Sequence, residues 1–312
     1  MNSLQQQPDD TGSNAPARNP QRVIRPTRSR NDWPRSAPDD DSVRRLCVID
    51  VETTGIDVDR HLVIEICAAI VLVNGAGRIV GVESIGTGVR DPGQPLSREI
   101  RELTGLTDAD LAGKEIARQP LIQFIETCDG VVAFNAGFDR PHVEKLLPEL
   151  RPLPWGCVWR DVRWRQLGFE PGPQGYLLMQ AGCYNPSAHR AQDDVLALIE
   201  LLDHVCNDGE SVAAKVMAGM DAPAWRFEAA NAAYGYRTDL REQRYRWAAE
   251  RTHRLWHKHV RQTDFRDEYD WYKRTIGMRP VIVPLPASER YRAERTWAPA
   301  SRSGSLGGQQ VR

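Results

Sequence analysis

The eleven residues VIEICAAIVLV (63–73) carry a single charged side chain, and they follow LCVIDV (46–51), another apolar run rich in β-branched residues. Runs of this length and content are buried strands. The glycine-rich NGAGR (74–78) predicts a turn into a third strand, IVGVESIG (79–86), so the ordered part of the chain opens with a three-stranded meander. Helix and strand signals then alternate. REIRELTGL (98–106) and TDADLAG (107–113) predict short helices, QPLIQFIETCD (119–129) has helical spacing, VVAF (131–134) is a buried strand, and FDRPHVEKLL (138–147) is a helix after it. CVWRD (157–161) predicts a final strand. HRAQDDVLALIELLDHV (189–205) is a long amphipathic helix with Val195, Leu198, Ile199 and Leu202 on one side. Strands first and alternation afterwards predict an α/β fold, a mixed sheet with helices on its faces.

Residues 1–43 combine Arg, Pro, Asp, Ser and Asn with few apolar residues. Such a segment buries too little surface to offset its ordering entropy, and it is expected to be a disordered arm. The stretch 294–312 is expected to be a disordered tail, and 208–222 a linker. The first residues lack an apolar signal region, and no apolar stretch approaches the roughly 18 residues needed to span a bilayer. The six cysteines form no C-x-x-C pair, and they are expected to be reduced core thiols in a cytoplasmic setting.

Asp50 and Glu52 lie two apart at the end of the first strand, where i and i+2 side chains share a face. Carboxyl ends of strands are where open α/β sheets hold ligands. Asp139 follows the strand VVAF, and His189 stands in H-R-A-Q-D-D (189–194). On an ideal helix His189 shares a face with Asp193, whereas Asp194 is rotated about 140° away. Pro186 and Ser187 favour a helix that begins close to His189.

In their order, D-V-E-T-T-G (50–55), F-N-A-G-F-D (134–139) and H-R-A-Q-D-D (189–194) resemble the three motifs of the DEDDh exonucleases. That family includes the proofreading epsilon subunit of bacterial DNA polymerase III and ribonuclease T. LTGLTDADL (103–111) resembles the segment between the first two motifs, and the resemblance covers roughly residues 45–206. It implies a ribonuclease-H-like exonuclease domain over 44–207, acting from the 3′ end of single-stranded or 3′-ended nucleic acid, with DNA favoured over RNA. It implies two Mg²⁺ (or Mn²⁺) ions held by Asp50, Glu52, Asp139 and Asp194, with Asp50 bridging. The family spacing selects Asp194 over Asp193. His189 would be the general base, a role suited to an imidazole titrating near neutrality. Thr53, Thr54 and Asn135 resemble substrate contacts. A DNA polymerase or repair complex is an implied partner, and no membrane is. Asp161 resembles a family acid, but the residues after it, Val162 and Arg163, depart from the pattern, and it is left outside the catalytic set.

The chemistry agrees. Four acids from three segments repel one another without cations, and Mg²⁺ takes a few carboxylates together with waters and substrate phosphate.

Beyond residue 207 the charge reverses. Residues 45–206 hold fifteen Arg and Lys against twenty-three Asp and Glu, whereas 224–293 hold fifteen against nine, with aromatics interleaved. Residues 223–293 are expected to form a small α+β module: strands at AWRFEAA (224–230) and HRLWHKHV (253–260), helix and turn at DLREQRYRW (239–247), a helix at DEYDWYKRTIG (267–277) and an extended PVIVPLP (280–286). Trp247 and Trp256 are expected in its core. Arg241, Arg244, Arg251 and Arg261 are candidate phosphate contacts of a nucleic-acid grip.

Overall fold

A computed structural model describes residues 23–36, 43–230, 232–249 and 254–293. A two-residue strand β1 (Arg25–Pro26) precedes the meander β2 (Arg44–Thr53), β3 (Val63–Val73) and β4 (Ile79–Val89). The helices α1 (Arg98–Thr104), α2 (Asp108–Leu111) and α3 (Arg118–Glu126) follow. Next come β5 (Gly130–Ala133), α4 (Ala136–Leu146), β6 (Trp155–Cys157), α5 (Val158–Asp161), α6 (Gln174–Gln180), β7 (Cys183–Tyr184), α7 (Ala191–Asp203) and α8 (Val212–Asp221). The central sheet has the order β4-β3-β2-β5-β6, with β2, β3 and β4 antiparallel and β5 and β6 parallel to β2. This is the mixed, helix-flanked sheet expected of a ribonuclease-H-like chain.

Both faces of the sheet are covered, which is why its strands read as nearly continuous apolar runs. Leu46 and Val48 of β2 pack with Val195, Leu198 and Ile199 of α7. The alternate residues Cys47, Ile49 and Val51 pack with Ile125 of α3 and Val143 of α4. Every residue of β3 is buried, Glu65 included. All six cysteines are buried and unpaired. Among the described residues no helix is long and apolar enough to cross a membrane.

The structure corrects several expectations. CVWRD is not one strand. After β6 the chain turns into α5, because the Asp161 carboxylate accepts the Cys157 N–H at 2.7 Å and the Trp159 N–H bonds the Phe134 carbonyl at 2.9 Å. The expected linker contains α8, capped by Ser211, with Val212, Val216 and Met220 in the core. The helix lies directly on β6: a Cβ on Gly156 would come 2.6 Å from Val216 Cγ1 and 2.8 Å from Met220 Sδ. Part of the expected disordered arm is ordered. Trp33 is buried under the Arg28 guanidinium, 3.5 Å from its ring centre. Arg28 also pairs with Glu200 and Asp203 of α7, each at 2.8 Å. The rest of that arm (1–22 and 37–42) and the tail 294–312 lie outside the described residues.

The C-terminal residues build a second, antiparallel sheet, β11 (Val281–Pro284), β8 (Ala224–Glu228), β10 (Arg254–Arg261) and β9 (Arg246–Ala249), in that order. It is packed by α9 (Arg237–Glu242) and α10 (Phe265–Ile276) around Phe227, Leu240, Tyr245 and Tyr272. Arg246 and Trp247 therefore belong to a strand, entered through Arg244 at φ 67°, instead of a helix and turn. Trp247 is 47% exposed, at the rim of this core and not inside it, while Trp256 packs against the cluster.

The two sheets are tied together. Arg140 of α4 donates to the Arg290 and Ser288 carbonyls, each at 2.6 Å. The Tyr291 hydroxyl donates to Asp161, and Arg261 donates to the Arg160 and Asp161 carbonyls at 3.0 and 3.1 Å.

Candidate active site

Leu46, Val48, Asp50 and Glu52 share one face of β2, the face that meets α7. The first turn of α7 supplies Asp194, and the first turn of α4 supplies the buried Asp139. Ligand atoms of Glu52, His189 and Asp194 all lie within 4.8 Å of one another. Asp50 and Asp139 belong to the same electrostatic cluster. Burial, and then the charges of Asp139, Asp194, Glu52 and Glu65, push the Asp50 carboxyl well above the usual range. Burial, Asp194, Glu65 and Asp139 push Glu52 up to about 8, opposed by Arg190. Burial raises Asp139 to about 7, although the backbone N–H groups of Asp139 and Val51 favour its charged form. Asp194 is raised by burial, against the hydrogen bonds from His189 and Asn185.

The start of α7 brings Asp194, not Asp193, to His189. The helix begins at Ala191, two residues after His189, which takes the left-handed region at φ 69°. That backbone folds the His189 N–H onto Asp194 Oδ2 at 2.7 Å, while Asn185 Nδ2 donates to Oδ1 at 3.1 Å. A left-handed non-glycine residue costs about 1–3 kcal/mol and concentrates at functional sites. Asp193 is not in this group. Its carboxyl is raised by burial first, then by Glu65, with Arg190 opposing.

Glu65 is the residue that sequence reasoning missed. It lies opposite Glu52 in the β2–β3 ladder and is buried. Its carboxylate takes Arg190 Nη2 at 2.9 Å and the Ala191 N–H at 3.2 Å, which clamps the first turn of α7 to the sheet. The signal was available: Glu65 is the one charge in VIEICAAIVLV.

Thr53 and Thr54 sit at the mouth of the site with their hydroxyls turned into the loop that follows. Thr53 Oγ1 donates to the Gly55 carbonyl at 2.8 Å, and Thr54 Oγ1 accepts the Leu62 N–H at 3.1 Å. A Cβ on Gly55 would come 2.6 Å from His61 Cε1, so a side chain here would displace the His61 ring that packs on the loop. Asn135 precedes α4, and its Oδ1 is buried without a hydrogen-bond partner among the described residues.

The donor set fits divalent cations. It is all oxygen and imidazole, with carboxyls raised by one another, and Arg190, which opposes the rise, is already paired with Glu65.

A family model for RNase T exonucleases matches residues 47–202, half of the chain. PolC-type DNA polymerase III of Streptococcus agalactiae serotype III (strain NEM316) is 39% identical over 94 residues, 30% of this chain and 6% of the polymerase. PolC-type DNA polymerase III of Streptococcus thermophilus (strain CNRZ 1066) is 42% identical over 94 residues, with the same shares. The chain thus spans only a small part of these relatives' length. A solved structure of exonuclease X in complex with 5′ overhanging duplex DNA is 25% identical, with a TM-score of 0.41, covering 56% of this chain and 99% of that one.

Proposed function

This chain belongs to the RNase T exonuclease family, and from that premise we propose that it hydrolyses the terminal phosphodiester at the 3′ end of nucleic acid, DNA in preference to RNA, releasing nucleoside 5′-monophosphates. The observation that carries the reading is the convergence of Asp50, Glu52, Asp139 and Asp194 with His189, their carboxyls raised by burial and by one another. Asp50, Glu52, Asp139 and Asp194 would hold two divalent cations, Mg²⁺ or Mn²⁺; when bound, the pair would supply an activated water and neutralise the leaving oxyanion. His189 takes the proton of the attacking water on the imidazole nitrogen that faces Glu52 and Asp194. Its left-handed backbone, pinned by the bond to Asp194, and the closeness of its ring to Glu52 and Asp194 support that role. Glu65 and Arg190 position the first turn of α7 and do not touch the reacting atoms. The backbone of loop 53–55 and Asn135 meet the terminal nucleotide.

The likeness to DNA polymerases supports DNA as substrate and a polymerase or repair complex as partner. Six free, buried cysteines suit a cytoplasmic location.

Matched DNA and RNA oligonucleotides labelled at the 5′ end, with Mg²⁺ or Mn²⁺ and then with EDTA, test the reading. Descending ladders on DNA that EDTA abolishes are expected. A stronger ladder on RNA would reassign the substrate. Intact strands in every condition would refute catalysis.

A further inference from the structure

A cavity of about 870 Å³ opens between the nuclease sheet and the C-terminal sheet, and it begins at Gly137, in the same helical turn as Asp139. One wall is the segment after β6, with Trp159, Arg160 and Arg163; the other is the turn at Arg244 and the β9–β10 ribbon it leads into, with Arg246 and Lys258. The lining holds seven Arg and Lys side chains and no carboxylate. Some of these cations are neutralised from behind: Arg163 pairs with Asp264, and Lys258 with Glu268. Arg160 and Arg244 are exposed and have no carboxylate in ion-pair range among the described residues. Arg244 is held in the left-handed region at φ 67°, just past α9, where glycine or asparagine is the usual occupant. Trp159 is 43% exposed, with the Arg160 guanidinium 5.6 Å from its ring centre.

We propose that this cavity is the channel for the single strand that leads away from the 3′ end, with Arg160 and Arg244 on its phosphates and Trp159 against an unstacked base. The inference rests on the exonuclease reading for the position of the 3′ end. Cations spread over two walls suit an extended polyanion better than one phosphate. An exposed aromatic face beside them suits a strand with unpaired bases. The nuclease part carries excess negative charge, so a strand passing over it needs a separate basic track. Arg261, a candidate contact from the sequence, plays a different part, since it bonds the Arg160 and Asp161 carbonyls and fixes the walls to each other. Arg251 lies outside the described residues.

The test is fluorescence anisotropy of full-length protein in EDTA, where no strand is cut, with a mixed-sequence single-stranded 20-mer over a range of salt. The double variant Arg160→Ser/Arg244→Ser is expected to weaken binding roughly tenfold or more and to reduce the log–log salt slope by about 1.4, two contacts at about 0.7 each. Trp159→Ser is expected to weaken binding roughly tenfold at an unchanged slope, because stacking releases no counterions. A distal double variant of equal charge, Arg98→Ser/Arg118→Ser, is expected to leave both unchanged. Unchanged affinity and slope in the channel variants, an equal loss in the distal variant, or no binding by the natural protein would each overturn the channel. Folding is checked by melting temperature, and Trp159→Ser keeps the proposal falsifiable if the double variant unfolds. Because binding is read without cleavage, a protein that binds as described but cuts nothing would refute the exonuclease reading alone.

Discussion

Glu52→Gln should stabilise the metal-free protein while weakening its response to metal. Burial and the neighbouring carboxyls raise Glu52 from 4.5 to about 8, and burial raises Asp139 from 3.8 to about 7. A folded state with raised acids binds more protons than the unfolded chain across that window. The cluster's contribution to stability is therefore fully present below about pH 4 and is lost as pH rises towards 8. For Glu52 alone the loss at pH 8 is about 4 kcal/mol, and about 2 kcal/mol if the cluster shares its protons. Glutamine removes that loss. At about 2 °C per kcal/mol for a protein of this size, the metal-free variant should melt about 4–8 °C above the natural protein at pH 8 and level with it at pH 4. Mg²⁺ or Mn²⁺ at 100 times its Kd should narrow that gap, since it stabilises the natural protein by about 2.7 kcal/mol and the variant, having lost a ligand, by less. Melting curves in EDTA and in metal at pH 4, 6 and 8 give the comparison. A natural protein whose metal-free melting temperature is flat over that range, or a variant that melts lower at pH 8, would refute the electrostatic picture of the cluster.

Three further outcomes follow from the geometry. Asp194→Asn should lower kcat at least about 100-fold and Asp193→Asn less than about 5-fold, corresponding to about 2.7 and 1 kcal/mol of barrier; the reverse order in steady-state kinetics would make Asp193 the ligand. Glu65→Gln should weaken Mn²⁺ binding about 10- to 100-fold by loosening the start of α7, measured by metal titration of the melting temperature; unchanged affinity would remove its positioning role. Val216→Ala should cost about 2 kcal/mol in urea unfolding, because α8 completes the core against Gly156; a neutral result would return 208–222 to the status of a linker.

The central sheet was legible because its strands are buried on both faces, so β2 and β3 are near-continuous apolar runs that turn residues punctuate. The site was legible as chemistry through its motifs. Its spacing was not legible from helical geometry, since His189 precedes the helix in a left-handed conformation that no periodicity encodes. Long-range pairing hid the rest. Glu65 finds Arg190 across 125 residues, and Arg28 finds Glu200 across 172, so neither the clamp on α7 nor the order of residues 23–36 has a local signature. α8 could have been found: Ser211 is an N-cap, and Val212, Val216 and Met220 recur at helical spacing. At Asp161, local propensity for a strand loses to one side-chain bond that caps a helical turn.

The most direct test is hydrolysis of a 5′-labelled single strand in ¹⁸O-enriched water with Mg²⁺, with the products resolved by mass. Attack of water at the 3′-terminal phosphodiester places one ¹⁸O in the phosphate of each released nucleoside 5′-monophosphate, and the labelled strand shortens one residue at a time to a free 3′-hydroxyl. Isotope found instead on a 3′-phosphate of the remaining strand, or release of nucleotides from the labelled 5′ end, would contradict the account.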